Sequence, residues 1–182
     1  MTEAIDRYDI ERVILDTLRA AEARASVLAG DLPLGASGVR ADLAVWADEW
    51  IGFAISAPDD WKDDAPAKLK TYARHFDRVA LVAAPCRLAA LRSADLSGAA
   101  LWSVHDGALV EHVAGAANRV GVSALLDLVS AESRRRLLRP LIPAGPSYDR
   151  DNPPITPAAV RAYVERVLAA EHGATAALLR AA

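Results

Sequence analysis

Two short stretches decide the fold. Arg40-Ala41-Asp42-Leu43-Ala44-Val45-Trp46 is followed, after Ala47-Asp48-Glu49, by Trp50-Ile51-Gly52-Phe53-Ala54-Ile55-Ser56. Residues 42–47 and 50–56 read as a hairpin that turns at Asp48-Glu49. Side chains alternate along a strand, so Ile51, Phe53 and Ile55 share the face expected to meet a core. Gly52, Ala54 and Ser56 share the other face and carry nothing larger than a hydroxyl. Trp50 falls on this small-residue face, to floor a groove or to fill it. Downstream, Leu69, Tyr72, Ala73 and Phe76 repeat at helical spacing. Residues 79–84 are an apolar run ended by Pro85, the pattern of a strand buried on both faces. Strand, helix and strand over 50–84 predict a crossover that sets two strands parallel.

Outward from this unit, Ile10, Val13, Ile14, Leu18, Ala21, Ala25 and Leu28 predict an amphipathic first helix from Asp6, with Gly30 as its stop. Glu11 and Glu22 fall on or beside its apolar stripe, at an edge that reaches water or, for Glu22, in a polar cleft. Pro33, Gly35 and Gly38 mark residues 30–40 as a loop. The acidic linker 57–64 offers Asp63 or Asp64 as a helix cap, with Pro66 in the first turn. A short helix is expected near 86–91. Residues 100–104 and 108–113 form a second hairpin around Asp106-Gly107. Residues 123–139 are helical, with a possible break at Ser130, and 140–154 form a surface connection. Thr156-Pro157 caps and starts a helix bearing Val160, Tyr163, Val164, Val167 and Leu168, which Gly173 is expected to break. The expected division is an α/β domain over 1–139, with a linker and C-terminal helices over 140–182 packed on it.

The 182 residues suit one domain that buries about 70% of its unfolded surface, without metal or disulfide staples. The net charge of −3 argues against strong nonspecific nucleic-acid binding. Cys86, the one cysteine, excludes a disulfide framework or a cysteine-cluster metal site. No apolar run approaches a membrane span and the N-terminus is polar, so a protein of the cytoplasm is expected.

The central stretch resembles the PD-(D/E)XK nuclease-like superfamily, specifically its small bacterial single-domain members. The resemblance rests on Arg40, Ala41 and Asp42; on Gly52, Ile55, Asp60, Pro66 and Tyr72; and on Phe76, Asp77 and the strand to Pro85. It continues through Leu101-Trp102, Asp106-Gly107 and Ala124-Leu125-Leu126. It implies a restriction-endonuclease-like central mixed sheet flanked by helices, with a helical C-terminal extension. In that superfamily an aspartate and a glutamate hold Mg²⁺ beside the scissile phosphate, and a lysine two residues on helps activate water. Asp42 matches the aspartate. Ala54 stands in the glutamate's place, Ser56 in the lysine's, Ala57 in that of the following serine, and Lys68 in that of the helix glutamine.

The expected function is therefore a catalytically degenerate nuclease fold that acts in binding or regulation through nucleic acid or a protein partner. One alternative is an active Mg²⁺-dependent nuclease with a relocated site, in which Asp42 and Lys68 are catalytic and Asp42 and Glu22 hold the metal; Asp59 and Asp60 stand near the strand end. Another is a protein-interaction or immunity-like module, for which the alanine-rich C-terminal helices are suited. No cofactor is expected outside the Mg²⁺ alternative, and a homo-oligomer is allowed. Arg134, Arg135, Arg136 and Arg139 form the one concentrated basic patch, as ordinary helix-surface arginines or as phosphate or partner contacts. His75, His105, His112 and His172 have no metal-ligand spacing, and Cys86 reads as a packed thiol.

Overall fold

The computed structural model describes residues 6–20, 27–46, 49–57, 65–139 and 156–181. It is a mixed α/β protein whose six strands form one sheet in the order β1-β2-β3-β4-β5-β6. Helix α1 (Arg7–Ala20) precedes β1 (Val27–Pro33), β2 (Arg40–Trp46) and β3 (Trp50–Ser56). Helix α2 (Ala65–His75) leads to β4 (Arg78–Ala83), and α3 (Leu88–Arg92) to the hairpin of β5 (Ala100–His105) and β6 (Ala108–Val113). Helices α4 (Val122–Asp127), α5 (Ala131–Leu138) and α6 (Pro157–Ala181) follow. Strands β1, β2 and β3 are antiparallel neighbours; β3, β4 and β5 run parallel, and β6 turns back on β5.

Both faces of the sheet are covered. Ile10, Val13 and Ile14 of α1 pack on Leu43, Val45, Phe53, Ile55, Val82 and Val104. On the opposite face Leu69 and Tyr72 of α2, with Phe76 just past its end, pack with Trp50, Ala54, Leu81 and Leu101, joined by Leu125 of α4 and Val160, Val164 and Leu168 of α6. Gly52, Ala54 and Ser56 therefore line a closed interface, not an open groove. A Cβ at Gly52 would stand 2.3 Å from the Phe76 ring, which is itself fully buried. The small side chains let an aromatic helix lie directly on the strand. Trp50 is 0% exposed and fills this layer.

Three sequence expectations change. The first helix was expected to continue to Leu28, and residues 30–40 to be a loop; Val27–Pro33 is instead an edge strand in register with β2, from Val27 opposite Trp46 to Pro33 opposite Arg40. Ala29 and Leu32 are buried in this strand. Pairing to β2 satisfies its backbone groups and overrides a helical periodicity that Val27 and Leu28 only weakly continued. Gly173 does not break the last helix, which runs to Ala181. One glycine costs about 1 kcal/mol in a helix, less than a break that would leave backbone groups unpaired. Cys86 is exposed, not packed, because it lies in the turn between β4 and α3. The break at Ser130 is real: its hydroxyl accepts the Ser133 N–H and caps α5. Thr156 does the same for α6, accepting the Ala159 N–H at 3.1 Å.

Helix α6 is fastened to the sheet by Asp77. Its carboxylate accepts two N–H groups of Arg161 and the Trp50 backbone N–H at 2.9 Å. The Arg161 guanidinium also lies 5.7 Å from the centroid of the Trp46 ring. The Asp77 carboxylate, first by hydrogen bonding, holds the Arg161 pKa above its ordinary value.

Candidate functional site

The strands β2 and β3 pair from Trp46 opposite Trp50 down to Leu43 opposite Phe53. At the next step the ladder gives way to side chains. The Asp42 N–H donates to the Tyr72 hydroxyl at 2.9 Å, and the Ile55 N–H donates to Asp42 Oδ2 at 2.8 Å. A carboxylate has replaced a strand backbone as the acceptor, which draws Asp42 into the sheet at 8% exposure.

Two cations close around it from opposite faces. Arg7, in the first turn of α1, donates from Nη2 to Asp42 Oδ1 at 2.8 Å. Lys68, on α2, donates from Nζ to Asp42 Oδ2 at 2.9 Å. Arg7 also donates from Nε to Glu11 Oε1 at 3.3 Å, so one guanidinium serves two carboxylates. Burial opposes the Arg7 charge, but Asp42 and Glu11 outweigh it and raise the pKa of Arg7. Beside this cluster Arg40 holds Asp31 through its side chain and its backbone carbonyl. That hydrogen bond is the first cause that keeps the Asp31 carboxyl below its ordinary range.

The Tyr72 hydroxyl donates to the Arg40 carbonyl at 3.0 Å and stands 3.4 Å from Asp42 Oδ2. Burial, reinforced by the Asp42 charge, pushes its phenol far above the ordinary value of 10.0. Folded Tyr72 thus keeps its proton where unfolded Tyr72 loses it. Its contribution to stability is intact below about pH 10 and is lost as pH rises beyond that, by about 1.4 kcal/mol per pH unit. Urea denaturation between about pH 9.5 and pH 11 should therefore show a steeper fall for the wild-type chain than for Tyr72→Phe. Equal slopes would remove this coupling.

Of the residues singled out in the sequence, Asp42 and Lys68 meet directly. Glu22, Asp59, Asp60, Asp63 and Asp64 lie outside the described residues. Ala54 is buried in the apolar layer, and the Ser56 hydroxyl is buried with no hydrogen-bond partner among the described residues. Arg7 was missed. Its one signal was its position in the turn before Ile10, and nothing local aims it at a residue 35 positions away.

The basic patch is partly neutralised: Arg134 pairs with Asp127 at 3.3 Å, and Arg136 pairs with Glu132 one turn away. Arg135 and Arg139 are exposed. His75 donates from Nδ1 to the Thr71 carbonyl at 2.8 Å within its own helix. His112 Nε2 lies 2.8 Å from the Ser103 hydroxyl, an arrangement that invites comparison with a nucleophile and its base. The Arg92 guanidinium meets His112 Nδ1 at 3.0 Å, however, and a guanidinium only donates. Nδ1 is therefore the acceptor, and the ring proton is on Nε2 facing Ser103. Ser103 is 2% exposed, so the pair is a structural tie between β5 and β6. Among the described residues no group of three or more His, Cys, Asp or Glu side chains is placed to hold a metal ion. Among them also, no helix is long and apolar enough to cross a membrane.

The fold and the Asp42 cluster together define a mixed α/β protein with an ion-paired carboxylate at the end of its central hairpin. The family of bacteriophage P4 protein cII matches residues 2–179, and the chain belongs to that family. No curated protein matches it. Among solved structures it is similar to the SPO1766 protein of unknown function from Silicibacter pomeroyi, at 19% identity and a TM-score of 0.49. That match covers 76% of this chain and 93% of the other.

Proposed function

We propose that this chain is a nuclease-like fold of the PD-(D/E)XK type that has given up metal-dependent cleavage and serves in binding or regulation in the cytoplasm, with nucleic acid or a protein as its partner. The mixed sheet supports the restriction-endonuclease-like reading: three antiparallel strands, a helix, then a strand parallel to the third. The observation that carries the loss of cleavage is the state of Asp42. Both of its oxygens are occupied by protein donors, and the neighbouring position on β3 is an alanine packed in the core. Magnesium requires carboxylate oxygens left open to it in octahedral geometry. This donor set does not fit that requirement, so no hydrolytic step is routed through a metal here.

The contact between Lys68 and Asp42 is what favours the second reading, the relocated site of Asp42, Lys68 and Glu22. One experiment separates the two. Purified chain incubated with single- and double-stranded DNA and RNA in Mg²⁺ or Mn²⁺ is expected to leave them intact. Cleavage that disappears on Asp42→Asn and on Lys68→Met would establish the relocated site. With no cleavage, a mobility shift that weakens with salt identifies nucleic acid as the partner. A protein that co-purifies in its absence identifies an interaction module.

A further inference from the structure

Asp42 and Glu11 both lie within hydrogen-bond reach of one guanidinium, with Arg7 Nη2 2.8 Å from the first and Arg7 Nε 3.3 Å from the second. Lys68 adds a second cation at 2.9 Å on the other oxygen of Asp42. Arg7 and Lys68 together thus bring to this carboxylate pair the two unit charges that one divalent ion would bring. They come from helices on opposite faces of the sheet, so the charge is supplied by the fold itself. Arg7 is held from both sides, and its neighbours favour the charged form.

We infer that the Arg7 guanidinium is the resident cation of this site: it stands between Asp42 and Glu11, and its presence keeps divalent metal ions out. The inference rests on the metal-independent reading above and adds the device that enforces it. An arginine cannot be deprotonated in a protein, so its exclusion of metal does not depend on pH. A planar guanidinium spans two acceptors at once, which a lysine ammonium, a point charge, does less well.

The test is a Mn²⁺ titration of the full chain, followed by calorimetry and by the loss of the free-ion paramagnetic resonance signal. Wild-type protein is expected to take up no stoichiometric Mn²⁺ at a few millimolar. Arg7→Gln, which keeps a shorter hydrogen-bond donor and no charge, is expected to bind one ion with a Kd on the order of 10⁻³ M, the range of weak carboxylate sites. Adding Glu11→Gln to that variant should abolish the binding. Mn²⁺ at about 10 mM, roughly ten times that Kd, should raise the folded-to-unfolded ratio of Arg7→Gln about tenfold, read as an upward shift of its urea midpoint, because an ion that binds only the native state stabilises it. The inference fails if folded Arg7→Gln binds no ion, if Glu11→Gln leaves the binding unchanged, or if Mn²⁺ leaves the urea midpoint of Arg7→Gln where it was. It also fails if wild-type protein binds one ion that Asp42→Asn removes. Failure of the proposed function is distinguishable from all of these, since that requires cleavage of nucleic acid.

Discussion

Asp42→Ala is expected to lower the unfolding free energy by about 3 kcal/mol, the low end of the range for removing one partner of a buried ion pair. The value sits there because the cations it abandons have some access to water: the Arg7 side chain is 45% exposed and that of Lys68 33%. Much of the loss comes from the backbone. The Ile55 N–H loses its acceptor, and an unsatisfied buried donor costs about 1–3 kcal/mol. Asp42→Asn keeps an oxygen for that N–H and should cost roughly half as much. Lys68→Met leaves Asp42 with Arg7 and Ile55, so its cost should stay under about 1 kcal/mol. Urea denaturation at neutral pH gives the ranking, read from midpoints at constant slope. A cost for Asp42→Ala as small as that for Lys68→Met would mean that the carboxylate does not hold β2, β3 and the two helices together.

The second large effect is at Asp77. Asp77→Ala removes the acceptor for the Trp50 N–H and leaves Arg161 without its bidentate partner. The expected loss is about 2–3 kcal/mol, reduced from the fully buried case because the Arg161 side chain is 29% exposed. Arg161→Ala should cost less, since Asp77 keeps the Trp50 N–H. The double variant should cost less than the sum of the two by at least about 1 kcal/mol, as expected of groups in direct contact. Tryptophan fluorescence is a suitable probe, because Trp46 and Trp50 both border the pair. Additive costs would show that α6 is held by its apolar face alone.

Much of the central unit was legible in the sequence. Alternation along 50–56, the apolar run of β4 and the Asp106-Gly107 turn are local signals, and local signals survive into the structure when tertiary contacts agree with them. β1 was not legible. Its residues carry no alternation strong enough to beat the preceding helical stripe, and only the open edge of β2 makes them a strand. The face of Gly52, Ala54 and Ser56 shows the same limit: small residues mark either a cleft or a close approach. The Phe76 ring, lying where a Cβ at Gly52 would be, decides for the close approach.

At Arg40–Trp46 and Trp50–Ser56 the sequence by itself determined the hairpin, the core-facing side of Ile51, Phe53 and Ile55, and the place of Asp42 as a lone acid on an apolar strand. Period-two patterning and turn chemistry act over a few residues, so they can be read without the fold. What only the tertiary structure decided is the state of that acid. Arg7 and Lys68 are separated from it by 35 and 26 positions, and they reach it from opposite faces of the sheet. A carboxylate's chemistry depends on which charges stand within about 4 Å of it, and packing alone sets that neighbourhood.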